Sequence, residues 1–234
     1  MVPQVYLIRH GETEWSLAGR HTGRTEIPLT ARGEAEAREL GERLRCAGIA
    51  RVLTSPRLRA RRTCELAGLA PAAETEPDLA EWDYGDCEGK TSAEILAAQP
   101  GWDLFRDGCP GGETPAQVAD RADALIRRLR ARDEAGSVAL FTHGHFGRVL
   151  GMRWIEMPVS AARLFALGTA SVSILGFAHG SAGEPVVVRW NSAAPEMSAP
   201  GPAGAGGEPG ALKQRAIQRW ENEGGEIPGA ARGP

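Results

Sequence analysis

Two short apolar runs, Val5 to Ile8 and Val138 to Phe141, each lead straight into histidine: Arg9-His10-Gly11 follows the first and His143-Gly144-His145 the second. Neutral imidazole keeps one unprotonated ring nitrogen near pH 7 and can serve as a nucleophile. A guanidinium offers two parallel N–H donors to a pair of phosphate oxygens. Brought together, such groups could attack a phosphate while opposing its charge. A lone His-Gly would more simply cap or pack, but two further segments supply what a phosphoryl-transfer site also needs. Ser55-Pro-Arg-Leu-Arg-Ala-Arg-Arg-Thr63 starts where a strand gives way to a helix, and helix N-terminal amides favour anions. Its arginines at 57, 59, 61 and 62 cannot all point inward at helical spacing. Glu81-Trp-Asp-Tyr-Gly85 sets two acids beside two aromatics. A carboxyl partly buried by aromatic rings has a raised pKa and can be a general acid. Asp83 is the weaker candidate, but residue types alone do not separate it from Glu81.

The elements that must hold these groups follow from hydrophobic periodicity. Val5–Arg9 is predicted as a strand, and Gly11 beside it leaves room for backbone to approach a phosphate. Thr30 caps a helix with Ala37, Leu40 and Leu44 on one stripe, ending near Gly48. Residues 51–54 form a second strand, and Ser55-Pro56 opens a helix to about Ala67. After the loop 77–89, Thr91 or Ser92 caps a short helix to Ala98. Thr114-Pro115 is a strong cap and first-position pair for a long helix striped by Val118, Ala122, Leu125, Ile126 and Leu129. Val138–Phe141 is the next strand, with a helix around residues 148–155 behind it. Two closing strands, 171–177 and 185–190, make an edge hairpin. Strands alternating with helices predict an α/β fold: a three-layer α/β/α sandwich with a mostly parallel sheet and an antiparallel edge. In open sheets of this kind ligands bind at the carboxyl ends of the strands. Both histidine motifs are therefore expected to meet in one crevice.

Composition narrows the class. The 234 residues suffice for one domain with a full core. A net charge of −3 gives no sign of a nucleic-acid or anionic-membrane partner. No apolar stretch approaches the ~20 residues that span a bilayer, and Met1–Gly11 lacks the basic region and cleavage site of a targeting segment. Cys46, Cys64, Cys87 and Cys109 show no CxxC spacing and read as reduced thiols of a cytoplasmic protein. Cys46 and Cys64 are expected to pack in helices, while Cys87 and Cys109 lie in candidate site loops. Residues 193–210, built from Pro, Gly, Ala and Ser, read as a linker. The tail, 211–234, could form one short helix with Leu212, Ala216 and Trp220 on a stripe. Metal binding by His143 and His145, on one face of an extended strand, finds no accompanying cysteine or acid cluster, so no metal is expected.

RHGET, SPRLRARRT, EWDYGDCEG, GGET and THGH, in this order, resemble the histidine phosphatase superfamily, the phosphoglycerate-mutase-like fold. The resemblance runs from about Val5 to Trp190, which makes residues 1–192 the phosphatase domain. GRHTGRTEIPLT and WDLFRDGCPGGE look most like the small bacterial acid phosphatases and the sedoheptulose-bisphosphatase branch. The resemblance implies His10 as the nucleophile that becomes phosphohistidine, with Arg9, Arg59 and His143 completing the phosphate pocket. It implies Glu81 as the proton donor and Arg57 as a helper at most. Thr13, Ser16, Thr22, Gly23, Tyr84 and Gly144 match substrate-side positions.

The expected activity is hydrolysis of small phosphorylated metabolites, sugar phosphates foremost, with no cofactor. The mutases of this fold resemble the chain in chemistry but carry a longer basic insertion. Here the stretch from Cys87 to Gly112 has only Lys90 and Arg106 as cations, which favours water access and hydrolysis over a bisphosphoglycerate-dependent mutase. A non-catalytic sugar-phosphate binder would normally lack the nucleophile or donor. Arg20, His21 and Arg24, with Trp102, Phe105 and Arg106 in a segment that could form a lid, are the candidate specificity groups. A homo-oligomer is left open, since the edge strand could pair or be blunted by Pro185.

Overall fold

The apolar run at the N-terminus forms β1 (Val5–Arg9) in the interior of a six-stranded sheet. The computed structural model describes residues 4–131, 136–178 and 183–193. The other strands are β2 (Ile49–Thr54), β3 (Ala73–Thr75), β4 (Ser137–Thr142), β5 (Val172–Phe177) and β6 (Pro185–Ser192), in the order β3-β2-β4-β1-β5-β6. The pairs β3–β2, β2–β4 and β4–β1 are parallel; β1–β5 and β5–β6 are antiparallel. The mostly parallel sheet with an antiparallel edge is thus present, and its register matters most. Arg9 pairs with Thr142, so the next residue on each strand, His10 and His143, emerge as neighbours. Thr54 pairs with Phe141 on the other side of β4, which delivers Ser55 to the same rim.

Helices cover both faces because every central strand is apolar on both. On one face Ile8, Val52 and Phe141 pack with Leu40 and Leu44 of α2 and Cys64 of α3. On the other, Leu7, Leu53 and Leu140 meet Val118, Leu125 and Ile126 of α6 and Phe146, Val149 and Leu150 of α7. The helices are α1 (Glu14–Leu17), α2 (Ala31–Leu44), α3 (Leu58–Leu66), α4 (Ser92–Ala98), α5 (Leu104–Asp107), α6 (Pro115–Arg130) and α7 (Gly144–Trp154). Thr30 caps α2 through the Gly33 N–H, and Thr91 and Thr114 form capping boxes with Glu94 and Gln117. Each cap satisfies first-turn amides that would otherwise lack a partner.

Several boundaries differ from the sequence reading. The helix expected from Ser55-Pro56 begins only at Leu58, with Arg57 at its cap. The α2 helix stops at Leu44, so Cys46 is exposed in the turn beyond and is not a packing residue. The α7 helix begins at Gly144, directly after β4. His143 therefore caps a helix and His145 sits in its first turn, so the two do not share a strand face. Three elements, α1, α5 and β3, span four residues or fewer and are too short for periodicity to reveal. The linker 193–210 beyond its first residue and the tail helix at Leu212, Ala216 and Trp220 lie outside the described residues.

Candidate active site

The carboxyl rim of β1, β2 and β4 gathers the predicted chemistry. His10 is buried, its backbone tied on both sides by His10 N–H to Thr142 O at 3.0 Å and Ala170 N–H to His10 O at 3.1 Å. Its Nδ1 lies 2.8 Å from the Gly11 carbonyl oxygen. A carbonyl can only accept, so Nδ1 carries the hydrogen and Nε2 keeps the lone pair. Burial, then Arg59 and then Arg9 hold the ring well below the ordinary histidine pKa. His10 is neutral at neutral pH, with its unprotonated Nε2 fixed by the main chain.

His143 is wholly buried, its ring centroid 5.2 Å from that of His10 at an interplanar angle of 61°. Its Nε2 lies 2.7 Å from Ser55 Oγ, which itself accepts the Arg57 N–H at 3.2 Å. Ser55 Oγ keeps a second lone pair, so its hydroxyl either donates to Nε2, leaving the ring hydrogen on Nδ1, or accepts a ring hydrogen at Nε2. Nδ1 is buried with no acceptor among the described residues. Burial, with Arg59 and His10 nearby, pushes this ring well below the ordinary value too. The residue that orients this ring, Ser55, is not among the residues that the motif 55–63 marks for chemistry. Its signal was the strand-end position shared with the two histidines.

The arginine cluster resolves sharply. Arg59, fully buried, donates through Nη1 to Thr25 O at 3.1 Å and through Nη2 to Thr22 O at 2.7 Å and Gly23 O at 3.2 Å. Its Nε is buried without an acceptor among the described residues. Arg57 instead turns to Glu26 at 3.6 Å and the Arg24 carbonyl, and Arg62 pairs with Glu34 and Glu65. Arg9 bonds the Leu167 carbonyl and lies against the first turn of α7. A Cβ at Gly144 would stand 3.3 Å from its guanidinium carbon, so glycine leaves Arg9 its place. Gly11 has a different role from the one expected: a Cβ there would run into the Gly33 carbonyl at the start of α2. The residue is small for packing against that turn.

Glu81 and Asp83 separate cleanly. Glu81 is buried, and its Oε1 accepts from Trp82 N at 2.9 Å and Phe146 N at 2.7 Å, its Oε2 from His145 N at 3.1 Å. Its carboxyl rests on the N-terminal amides of α7 rather than in the aromatic surroundings predicted for it. Asp83 turns outward to Arg24 at 2.5 Å. The cleft, about 480 Å³ with its open mouth, is lined by Arg9, His10, Glu81 and Gly144 at its floor and by Ser16, Thr22 and Tyr84 higher up. His143 and Arg59 lie just beneath that surface. Thr13 and Gly23 build the wall without lining it: Thr13 caps α1 through Ser16 N–H, and the Gly23 N–H is held by Glu88 at 2.9 Å.

The same wall contains residues that the sequence reading had only as specificity candidates or had missed. Arg20, His21, His145 and Arg148 all line the cleft. Tyr84 Oη lies 2.6 Å from His145 Nδ1, and burial and Glu81 keep the phenol protonated. Arg148 gave no signal, since its helix spacing reads as a surface position. Trp102 and Phe105 do not form a lid. Trp102 bonds Gly108 O at 2.8 Å and both rings are buried behind His21 and His145, while Arg106 pairs with Asp107. Among the described residues no group of three or more His, Cys, Asp or Glu side chains could hold a metal, and no helix is long and apolar enough to cross a membrane.

Paired imidazoles and buried guanidiniums at the carboxyl rim of a parallel sheet define a phosphate-handling α/β enzyme. The chain belongs to the histidine phosphatase superfamily (branch 1), whose family model matches residues 5–193. It is 42% identical over 179 residues to an acid phosphatase of Mycobacterium tuberculosis, covering 76% of this chain and 88% of that protein. It is 34% identical over 190 residues to a sedoheptulose 1,7-bisphosphatase of Saccharomyces cerevisiae, covering 68% and 70%. A probable phosphoglycerate mutase of Salmonella paratyphi B is 32% identical over 182 residues, covering 74% and 85%. The solved structure of a Mycobacterium tuberculosis open reading frame superposes with a TM-score of 0.77 at 39% identity, covering 82% of this chain and 98% of that one. This protein is a histidine phosphatase.

Proposed function

We propose that the enzyme hydrolyses small phosphorylated metabolites, sugar phosphates foremost, through a phosphohistidine on His10. The observation that carries this reading is the Gly11 carbonyl on His10 Nδ1, which leaves Nε2 as a neutral nucleophile in a pocket of buried cations. In the first step Nε2 attacks phosphorus in line, the P–O ester bond breaks, and the leaving oxygen takes the proton of Glu81. In the second step the Glu81 carboxylate takes a proton from water. The resulting hydroxide attacks phosphorus, the P–N bond breaks, and its electron pair returns to Nε2. Arg9, Arg59 and His143 oppose the phosphoryl charge throughout. The buried Arg59 Nε supports this role, as does His143 Nδ1 in the tautomer in which Ser55 donates to Nε2, because phosphoryl oxygens would be their acceptors. Ser16, Thr22, Tyr84 and Gly144 shape the approach, with Thr13 and Gly23 behind them.

The relatives named acid phosphatase and sedoheptulose bisphosphatase support the substrate class. Neither cation of the 87–112 stretch lines the cleft, which supports hydrolysis over phosphate return. The unbridged cysteines support a cytoplasmic setting. The test is phosphate release from a panel of sugar phosphates and phosphoacids, with the phosphoenzyme trapped in alkali and read by ³¹P NMR. Turnover with a His10-dependent phosphohistidine signal is expected. Efficient conversion of 3-phosphoglycerate to 2-phosphoglycerate with 2,3-bisphosphoglycerate, and little free phosphate, would replace hydrolase by mutase. A wild-type protein inert towards every phosphomonoester would leave only a binder.

A further inference from the structure

His21 is a histidine of the cleft wall that the phosphoryl chemistry above does not use. It is 4% exposed yet lines the cleft beside Tyr84, His145 and Arg20. Its orientation is over-determined. The backbone N–H donates to the Lys90 carbonyl at 2.9 Å and the ring Nδ1 lies 2.8 Å from the same oxygen. The ring lies parallel to His145, centroids 5.5 Å apart at 1°, and takes the edges of Tyr84 and Trp102 at 4.9 and 5.6 Å. A wrong tautomer would set two lone pairs against each other at Lys90, so Nδ1 holds the hydrogen. Nε2 is then a hydrogen-bond acceptor on the ring edge away from that carbonyl, in a residue that lines the cleft.

We infer that His21 is a specificity-determining residue that accepts a hydrogen bond from a substrate hydroxyl, so that the site selects polyol phosphates over alkyl phosphates and phosphorylated carboxylates. The inference rests on the phosphatase reading and deepens it. A neutral imidazole acceptor faces a hydroxyl productively, whereas a carboxylate or second phosphate would set lone pair against lone pair. Protonating the ring to meet an anion runs against its burial, which lowers its pKa. A site built to bond a hydroxyl rejects analogues lacking it far more strongly than an apolar pocket does, because its polar group is left unpaired.

The experiment compares kcat/KM of wild type, His21→Phe and His21→Gln on three- to seven-carbon polyol phosphates, alkyl phosphates of equal length, 3-phosphoglycerate and p-nitrophenyl phosphate. Phenylalanine keeps the ring contacts and removes both nitrogens; glutamine restores an acceptor near the Nε2 position. For the preferred polyol phosphate we expect a loss of roughly 10- to 100-fold in His21→Phe, mainly in kcat/KM, and partial recovery in His21→Gln. Alkyl and p-nitrophenyl phosphates should change by less than about twofold. Equal losses on all substrates would assign His21 a structural role and overturn the inference, as would an unchanged polyol preference. In either case continued wild-type turnover of p-nitrophenyl phosphate would leave the phosphatase reading standing. Absence of wild-type turnover on every ester would bring down that reading, and this inference with it.

Discussion

The floor of the cleft and its wall are built on different principles. Floor groups, His10, His143 and Arg9, leave adjacent strand ends and are held there, by main-chain atoms of Gly11, Thr142, Ala170 and Leu167 for the first strand and by the Ser55 hydroxyl for the second. The wall, chiefly residues 13–25 and 82–90, is loop and short helix, held by side chains that reach across it. Glu88 holds Gly23 and Thr25, Arg59 holds three carbonyls, and Arg24 pairs with Asp83 at the surface. Strand ends cannot shift without disturbing the sheet, so the floor is preorganised for one chemistry. Loops can change residues while keeping their ties, which leaves substrate choice to the wall. Arg59 joins the two, since one guanidinium lies under the floor and fastens the wall.

Removing the floor nucleophile should give the largest effect. His10→Ala is expected to lose turnover by on the order of 10⁴-fold or more while keeping its melting temperature, with p-nitrophenyl phosphate as the assay. Glu81→Gln should slow phosphoenzyme formation, read by single-turnover kinetics, roughly 10²- to 10³-fold on alkyl esters, and much less on p-nitrophenyl phosphate, whose leaving group needs no proton. An equal loss on both would remove Glu81 from the donor role. Ser55→Ala should cost about tenfold in kcat, with Ser55→Thr recovering it. Nitrogen-15 NMR of His143 should then show its tautomer ratio shifted from that of the wild type; an unmoved ratio would detach Ser55 from the floor.

Stability should follow the same buried rings. His10, His143 and His21 all have folded-state values below the ordinary one. As pH falls through about 6.5 the unfolded chain takes up these protons and the folded one does not. Their contribution is therefore full above that pH and is lost towards the folded-state values, and a fall of several degrees in Tm between pH 7 and pH 5 is expected. A flat Tm across that range would contradict neutral floor histidines. The smallest effect belongs to the exposed edge of the wall: Arg24→Ala should change kcat/KM by less than about threefold and Tm by less than about 2 °C. A larger loss would mean that Arg24 reaches the substrate.

Much of the floor was legible in the chain because strands and their ends leave strong local marks. An apolar run that stops at histidine needs only the sheet's register to become a site, and β1 and β4 supply it. Glu81 was legible as a residue but its surroundings were not. The amides that hold it come from α7, more than 60 positions away. The lid predicted around Trp102 and Phe105 became a buried wall for a similar reason, since its neighbours His21, His145 and Arg148 belong to distant segments.

By itself the sequence determined the strand ends, the helix caps and the segments that carry the candidate nucleophile and cations, because residue type and periodicity act over a few neighbouring positions. Only the tertiary structure decided which of Arg57, Arg59, Arg61 and Arg62 turns inward, which of Glu81 and Asp83 enters the cleft, and which nitrogen of His21 carries its hydrogen. Those outcomes depend on where a hydrogen-bond partner from another segment lies. The proton on His21 is placed by the Lys90 carbonyl, 69 positions away, and folding is what brings that oxygen within 3 Å.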